Sequence, residues 1–158
     1  MRKIFVDHLS KMMQSDDTIV LLTGDLGFGL FDDIRSTTPD RFINVGASEQ
    51  LMLGAATGLA LQGKIPICYS ITSFLIYRPF EFIRNYMQIE GIPIKLVGSG
   101  RNNDYLSAGY THHSGEVKSI LDNFSKIDLY FPEDNTELSS QIDNMIYSKN
   151  PAFISLKK

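Results

Sequence analysis

The stretch Arg41–Gly63, RFINVGASEQLMLGAATGLALQG, decides how this sequence is expected to fold. Phe42, Ile43 and Val45 form a short extended run that turns at Gly46. A helix follows, with Ser48 at its cap and Glu49 in its first turn, and Gly63 closes it as a glycine just past a helix end does. Leu51, Met52, Ala55, Ala56, Leu59 and Ala60 recur at three- and four-residue spacing around much of the cylinder, so the helix should be largely buried. Glu49 therefore brings a carboxylate to the buried start of a helix, and such a group needs a reason to be there.

Outward from this stretch, the flanking segments are continuously apolar. TIVLLTG (Thr18–Gly24), IPICYSI (Ile65–Ile71) and IPIKLVG (Ile92–Gly98) show no alternation, as in strands buried on both faces of a parallel sheet. IDLYF (Ile127–Phe131) and AFISL (Ala152–Leu156) complete the strands. Between them lie helical segments. Arg2–Gln14 carries Ile4, Phe5, His8, Leu9, Met12 and Met13, with His8 on or beside the apolar stripe. Shorter helices are expected at Phe31–Arg35, from Pro79 in its first turn to Gly91, at Lys118–Phe124 and at Asn135–Tyr147. Helix and strand alternate throughout. That order predicts an α/β domain, a three-layer α/β/α arrangement around a mainly parallel sheet, spanning residues 1–158 as one unit. Strand order is not legible at this level.

Bulk properties exclude several classes of function. Apolar residues make up 43% of the 158 residues and charged ones 21%, a composition normal for a globular domain with its own core. A net charge of −3 gives no electrostatic case for nucleic acid or an anionic membrane surface. No apolar run reaches the roughly 18 residues that span a bilayer. The start, MRKIFVDHLSKMMQ, has scattered charges and reads as a helix rather than a signal peptide, so a cytoplasmic location is expected. The one cysteine, Cys68, lies in an apolar run and can form no internal disulfide.

Chemistry gathers where strands end. GDLGFG (Gly24–Gly29) follows the first strand, but lacks the GxGxxG order of a dinucleotide site and the lysine of a P-loop. Phe74, Tyr77 and Phe80 follow another strand, and the long polar segment Ser99–Glu116, SGRNNDYLSAGYTHHSGE, follows a third and holds His112 and His113. Structureless segments of that length tend to be functional. A carboxylic acid, ring faces and an imidazole on one rim could hold a flat heteroaromatic ligand; core packing for the aromatics and simple hydrogen bonding for the histidines are the alternatives. Adjacent histidines without nearby cysteines are weak as a metal signature, and no metal ligand is assigned.

The motifs LLTGDLG, RFINVGASEQLMLGAATGLALQGKIP, SFLIYRPFEFIRN and GYTHHSGE occur in the order and approximate spacing of the pyrimidine-binding domain of the transketolase family of thiamine diphosphate enzymes, and nearly the whole chain resembles that domain. The resemblance implies that Glu49 contacts N1′ of the aminopyrimidine and shares a proton with it, so that the 4′-nitrogen can act as a base toward C2 of the thiazolium. It implies that Phe74, Tyr77 and Phe80 pack around the pyrimidine, that Asp25 lies near the cofactor or a dimer contact, and that His112 faces the substrate. Arg2 matches an arginine that helps bind a substrate phosphate; Arg78, Arg101 and His113 are further substrate candidates. Gly29 stands in the place of a phosphate-binding serine, a departure that weakens the case for a phosphorylated substrate.

The same resemblance implies a partner. The family's diphosphate-binding domain carries a GDG…N metal motif, whereas Gly24-Asp25 is followed here by Leu26, and a third, C-terminal domain is also absent from this sequence. Magnesium and the diphosphate are thus expected on a separate subunit, in a dimer or heterotetramer, with the small residues Gly54, Ala55, Ala56, Gly58 and Ala60 suited to a close helix contact. The implied function is ketol transfer or related C–C bond chemistry by a split enzyme that is inactive as this chain alone. A deoxyxylulose-phosphate synthase-like or 2-oxoacid decarboxylase subunit, or a non-catalytic assembly module, is the alternative.

Overall fold

The structure, a computed structural model, describes residues 1–158. Its elements run α1 (Arg2–Ser15), β1 (Ile19–Thr23), α2 (Asp32–Thr37), β2 (Phe42–Asn44), α3 (Glu49–Leu61), β3 (Ile65–Ile71), α4 (Thr72–Tyr77), α5 (Phe80–Phe82), β4 (Lys95–Ser99), α6 (Val117–Leu121), β5 (Asp128–Tyr130), α7 (Asn135–Tyr147) and β6 (Ala152–Leu156). The six strands form one sheet in the order β2-β1-β3-β4-β6-β5, and every pairing is parallel.

The apolar strands have no polar face because both faces are covered. Ile19, Leu21, Ile67, Tyr69, Val97 and Ile154 point to a core closed by α1, α2 and α7. Val20, Leu22, Cys68, Leu96 and Phe153 point the other way, to a core closed by α3, α4 and α6. The strands that pair on both sides, β1, β3, β4 and β6, are the continuously apolar ones, while the edge strand β2 is short and partly exposed. No helix is long and apolar enough to cross a membrane.

Two local features depart from the expected reading. The sequence pattern starts the helix after β3 only at Pro79; instead Thr72–Tyr77 is already helical, because burying Leu75 and Ile76 outweighs the modest helix propensity of the segment. Pro79 separates α4 from α5, and Ile83–Ile89 continues α5 as a π-helix, with Glu90 N donating to Asn85 O across five residues. Ser48 is the N-cap residue of α3, as expected, and its side chain makes no cap bond. The Ser99–Glu116 segment is irregular, as expected, apart from two single 3-10 turns, Leu106–Ala108 and Tyr110–His112.

The chain turns to one side of β1 to make β2 and to the other to make β3, so strand order reverses between β1 and β3. In parallel α/β sheets such a point leaves a crevice outside the carboxyl ends of the strands.

Candidate active site at the strand ends

Glu49 stands at this crevice, 1% exposed, on the first residue of α3. Two groups hold its oxygens. Ser70, one residue before β3 ends, donates its hydroxyl to Oε1 at 2.8 Å. Arg78, just after α4, donates from Nη1 to Oε2 at 2.6 Å. Gly24, at the end of β1, leaves the room: a Cβ there would lie 3.3 Å from Glu49 Oε1 and 3.3 Å from Met52 Cε. An isolated buried carboxylate would be costly, and this one is kept by a hydroxyl, a guanidinium and a helix N-terminus together.

Arg78 also lies over an aromatic face, its Cζ 3.9 Å from the centroid of Phe74. The other neighbour of Phe74 is His112, whose ring meets it edge-on at 4.8 Å between centroids. His112 Nδ1 pairs with Thr111 Oγ1 at 3.1 Å, and Ser73 ties the turn to α4 by donating to Thr111 O at 2.8 Å. Glu49, Arg78, Phe74 and His112 thus form one contiguous row across the crevice.

The remaining sequence candidates fall around this row. Tyr77 is exposed and donates to Glu116 Oε1 at 2.6 Å. That bond is the main cause lowering the Glu116 carboxyl from its ordinary value, while desolvation and the same bond push the Tyr77 phenol up. Phe80 stacks on Phe124 at 5.8 Å, on the α6 side. His113 Nε2 is buried and has no hydrogen-bond partner. Asp25 has a left-handed backbone, φ +54°, and is pinned by Asn44, whose Oδ1 accepts from Asp25 N at 2.9 Å and from Gly46 N at 3.0 Å.

Arg101 has a different environment from the one a substrate arginine needs. It is 8% exposed and donates to Ser155 Oγ, Ser155 O, Pro132 O and Glu133 Oε1, so its fork is committed to holding the segment after β4 against β6 and the chain after β5. Desolvation lowers its pKa from the ordinary value, opposed mainly by Glu133.

Beside the row lies a cavity of about 730 Å³, lined among others by Arg2, Lys3, Gly29, Ser99, Tyr105 and Lys158. Arg2 Nη1 donates to Tyr105 OH at 3.2 Å, and Tyr105 OH pairs with Ser99 Oγ at 2.9 Å. The Tyr105 ring is also 6.3 Å from that of His112, so this residue joins the cavity to the row. Gly100 makes the approach possible, with φ +83° and a would-be Cβ 2.2 Å from Tyr105 Cε2. The charged side chains of the lining, Arg2, Lys3 and Lys158, are all cationic.

Sequence reasoning missed Ser70 and Tyr105. A hydroxyl inside the otherwise apolar IPICYSI run was a usable signal for the first. Nothing in the loop composition singled out the second. No group of three or more His, Cys, Asp or Glu side chains is arranged to hold a metal ion.

A doubly covered parallel sheet with a buried carboxylate at its switch point, and with an imidazole from the segment after β4 in the same row, defines an α/β domain whose polar groups gather at the carboxyl ends of its strands. Comparison makes this specific: residues 1–158 match the family described as "Transketolase, pyrimidine binding domain", and the chain belongs to that family. It is 33% identical over 157 residues to the 6-deoxy-6-sulfo-D-fructose transketolase subunit SqwH of Clostridium sp. (strain MSTE9), covering 99% of this chain and 49% of that protein. It is 33% identical over 118 residues to an apulose-4-phosphate transketolase subunit from Actinobacillus succinogenes, covering 75% of this chain and 38% of the relative. Among solved structures it resembles "Split gene transketolase, inactive beta4 tetramer", with TM-score 0.86 and 25% identity over 99% of this chain and 50% of the other. The chain thus spans about half the length, or less, of these relatives.

The family implies thiamine diphosphate, and the residues present fit its pyrimidine end. The Arg78 guanidinium is a flat N–C–N group that donates to Glu49 while lying on Phe74. An aminopyrimidine protonated on its ring nitrogen offers the same combination of flat face and N–H edge.

Proposed function

We propose that this chain is the pyrimidine-binding subunit of a split transketolase-like enzyme, which transfers a ketol unit or performs related C–C bond chemistry and depends on thiamine diphosphate. The observation that carries this reading is the buried Glu49, held at the crevice by Ser70 and linked through Arg78 to the aromatic ring that His112 also meets. When bound, thiamine diphosphate supplies a carbon nucleophile and an electron sink.

This chain's part is binding and proton control. Glu49 holds the proton at N1′ of the pyrimidine, and Ser70 fixes which oxygen is free to do so. Phe74 provides the face, with Tyr77 and Phe80 supporting α4 and the segment after it. His112, oriented by Thr111, donates to or takes a proton from a substrate oxygen. The cationic lining around Arg2 suits a substrate with an anionic end, which restores an anionic sugar despite Gly29.

Magnesium and the diphosphate are bound by a separate chain in this reading, and the present chain alone is inactive. The relatives named as subunits support it, as does the one described as an inactive beta4 tetramer. Self-association into a dimer or heterotetramer follows, in a cytoplasmic enzyme, with α3 and its small residues at a contact. A 1-deoxy-D-xylulose-5-phosphate synthase-like activity is the second reading, favoured by 26% identity over 157 residues to that enzyme of Prochlorococcus marinus (strain MIT 9303), covering 24% of the relative.

Co-purification with a partner protein that carries GDG…N, followed by thiamine diphosphate titration, tests the proposal. Binding is expected in the complex and not in this chain alone, and Glu49→Gln is expected to abolish turnover. A complex that takes up no cofactor, or that turns over normally with Glu49→Gln, overturns it.

A further inference from the structure

Arg78 does two things at once that a merely structural surface arginine would not. Its side chain is 44% exposed, yet it reaches inward to the buried Oε2 of Glu49 at 2.6 Å, and its guanidinium lies 3.9 Å from the centre of the Phe74 ring. Both partners belong to the row assigned to the pyrimidine. We propose that Arg78 is a stand-in for the aminopyrimidine: it holds Glu49 and the Phe74 face, and swings out when the cofactor binds. The proposal rests on the reading that this row takes the pyrimidine of thiamine diphosphate.

The physical argument is one of exchange. Glu49 is 1% exposed, so withdrawing its counter-ion without replacement would leave a buried charge unpaired. Arg78 cannot simply leave; it is displaced only when another flat N–H donor arrives. Ser70 keeps Oε1 throughout, so only the Oε2 side changes hands. Position makes the exchange feasible. Arg78 stands at the junction of α4 and Pro79, and its long side chain lies at the solvent edge, where a change of rotamer returns the charge to water. The chain is thereby stable with its site closed, and apparent cofactor affinity falls in proportion to the time spent closed.

Arg78→Met, which keeps the aliphatic stem and removes the guanidinium, separates this from other roles. In calorimetric titration of the assembled complex with thiamine diphosphate, Arg78→Met is expected to bind about ten-fold or more tightly than wild type, the factor set by the closed fraction. In the chain without cofactor, the same change is expected to lower the melting temperature. Glu49→Gln introduced with it should recover most of that loss. If Arg78→Met does not fold, Arg78→Lys serves, since it keeps the charge and loses the flat face; tighter binding supports the exchange. Equal or weaker binding by the variant, with wild type binding normally, overturns the role of Arg78 alone. Failure of both wild type and variant to take up thiamine diphosphate overturns the pyrimidine reading as well.

Discussion

Ser70 and Glu49, distant in sequence and on different elements, meet at 2.8 Å in the crevice between β1 and β3, with the serine completely buried. Leaving one oxygen of a buried carboxylate without its donor costs roughly 1–3 kcal/mol. Ser70→Ala is therefore expected to lower stability by about that amount and to reduce turnover of the assembled enzyme. Ser70→Thr should retain the donor and lose less. Chemical denaturation and kcat, measured side by side, check this; full activity in Ser70→Ala would remove Ser70 from the site.

Gly24 sets the position of Glu49 from the opposite side. Its backbone is not left-handed, so an alanine there meets no conformational strain, only three tight neighbours: Glu49 Oε1 and Met52 Cε at 3.3 Å and Gly46 O at 3.4 Å. Gly24→Ala should push the carboxylate and weaken cofactor binding by more than it weakens the fold. Titration of thiamine diphosphate and a thermal melt on the same variant separate the two effects.

Arg2 and Arg101 are expected to fail in opposite ways. Arg101→Met leaves the carbonyls of Ser155 and Pro132 without this donor and should destabilise the chain by about 1–3 kcal/mol for each, with the KM of any surviving enzyme little changed. Arg2→Met, at the cavity, should leave stability nearly intact and raise KM for an anionic substrate. Reversal of the two outcomes would return Arg101 to the substrate site.

Lys95 supplies a pH dependence unconnected with the site. It is buried at the start of β4 and donates to Ser148 O at 2.7 Å and to Asn150 O, just beyond α7. Burial lowers its pKa from 10.5 to about 8, with Asp128 opposing. Below pH 8 the folded and unfolded chains both hold the proton, and the folded state carries the whole penalty of the buried ammonium. Between about 8 and 10.5 the folded chain releases the proton first, so stability should rise with pH. The rise attributable to Lys95 is roughly 2–3 kcal/mol. Tyr69, raised from 10.0 to about 12 mainly by burial, acts in the opposite direction only above pH 10. Denaturation midpoints measured across pH 7–10 should rise with pH in wild type and lack that rise in Lys95→Met.

Sequence by itself determined the layers. Continuously apolar β-branched runs between amphipathic segments leave no solvent face for the sheet, so a doubly covered parallel sheet was readable from TIVLLTG and IPICYSI. It also put Glu49 at the first turn of a buried helix and marked His112 as a loop imidazole after a strand, because both follow from local periodicity. The helix Thr72–Tyr77 was not legible, since its stability comes from burying Leu75 and Ile76 rather than from propensity. Only the tertiary structure decided what each polar group does. Arg78 and Arg101 look alike in the sequence, yet one lies on Phe74 and binds Glu49, while the other is committed to Ser155, Pro132 and Glu133. The reason is reach. A side chain's partners are set by which strand ends the sheet order brings together, and strand order is a long-range property that no local pattern encodes. The carboxylate was visible at the outset; that its counter-ion is Arg78, lying on the Phe74 ring, became visible only in three dimensions.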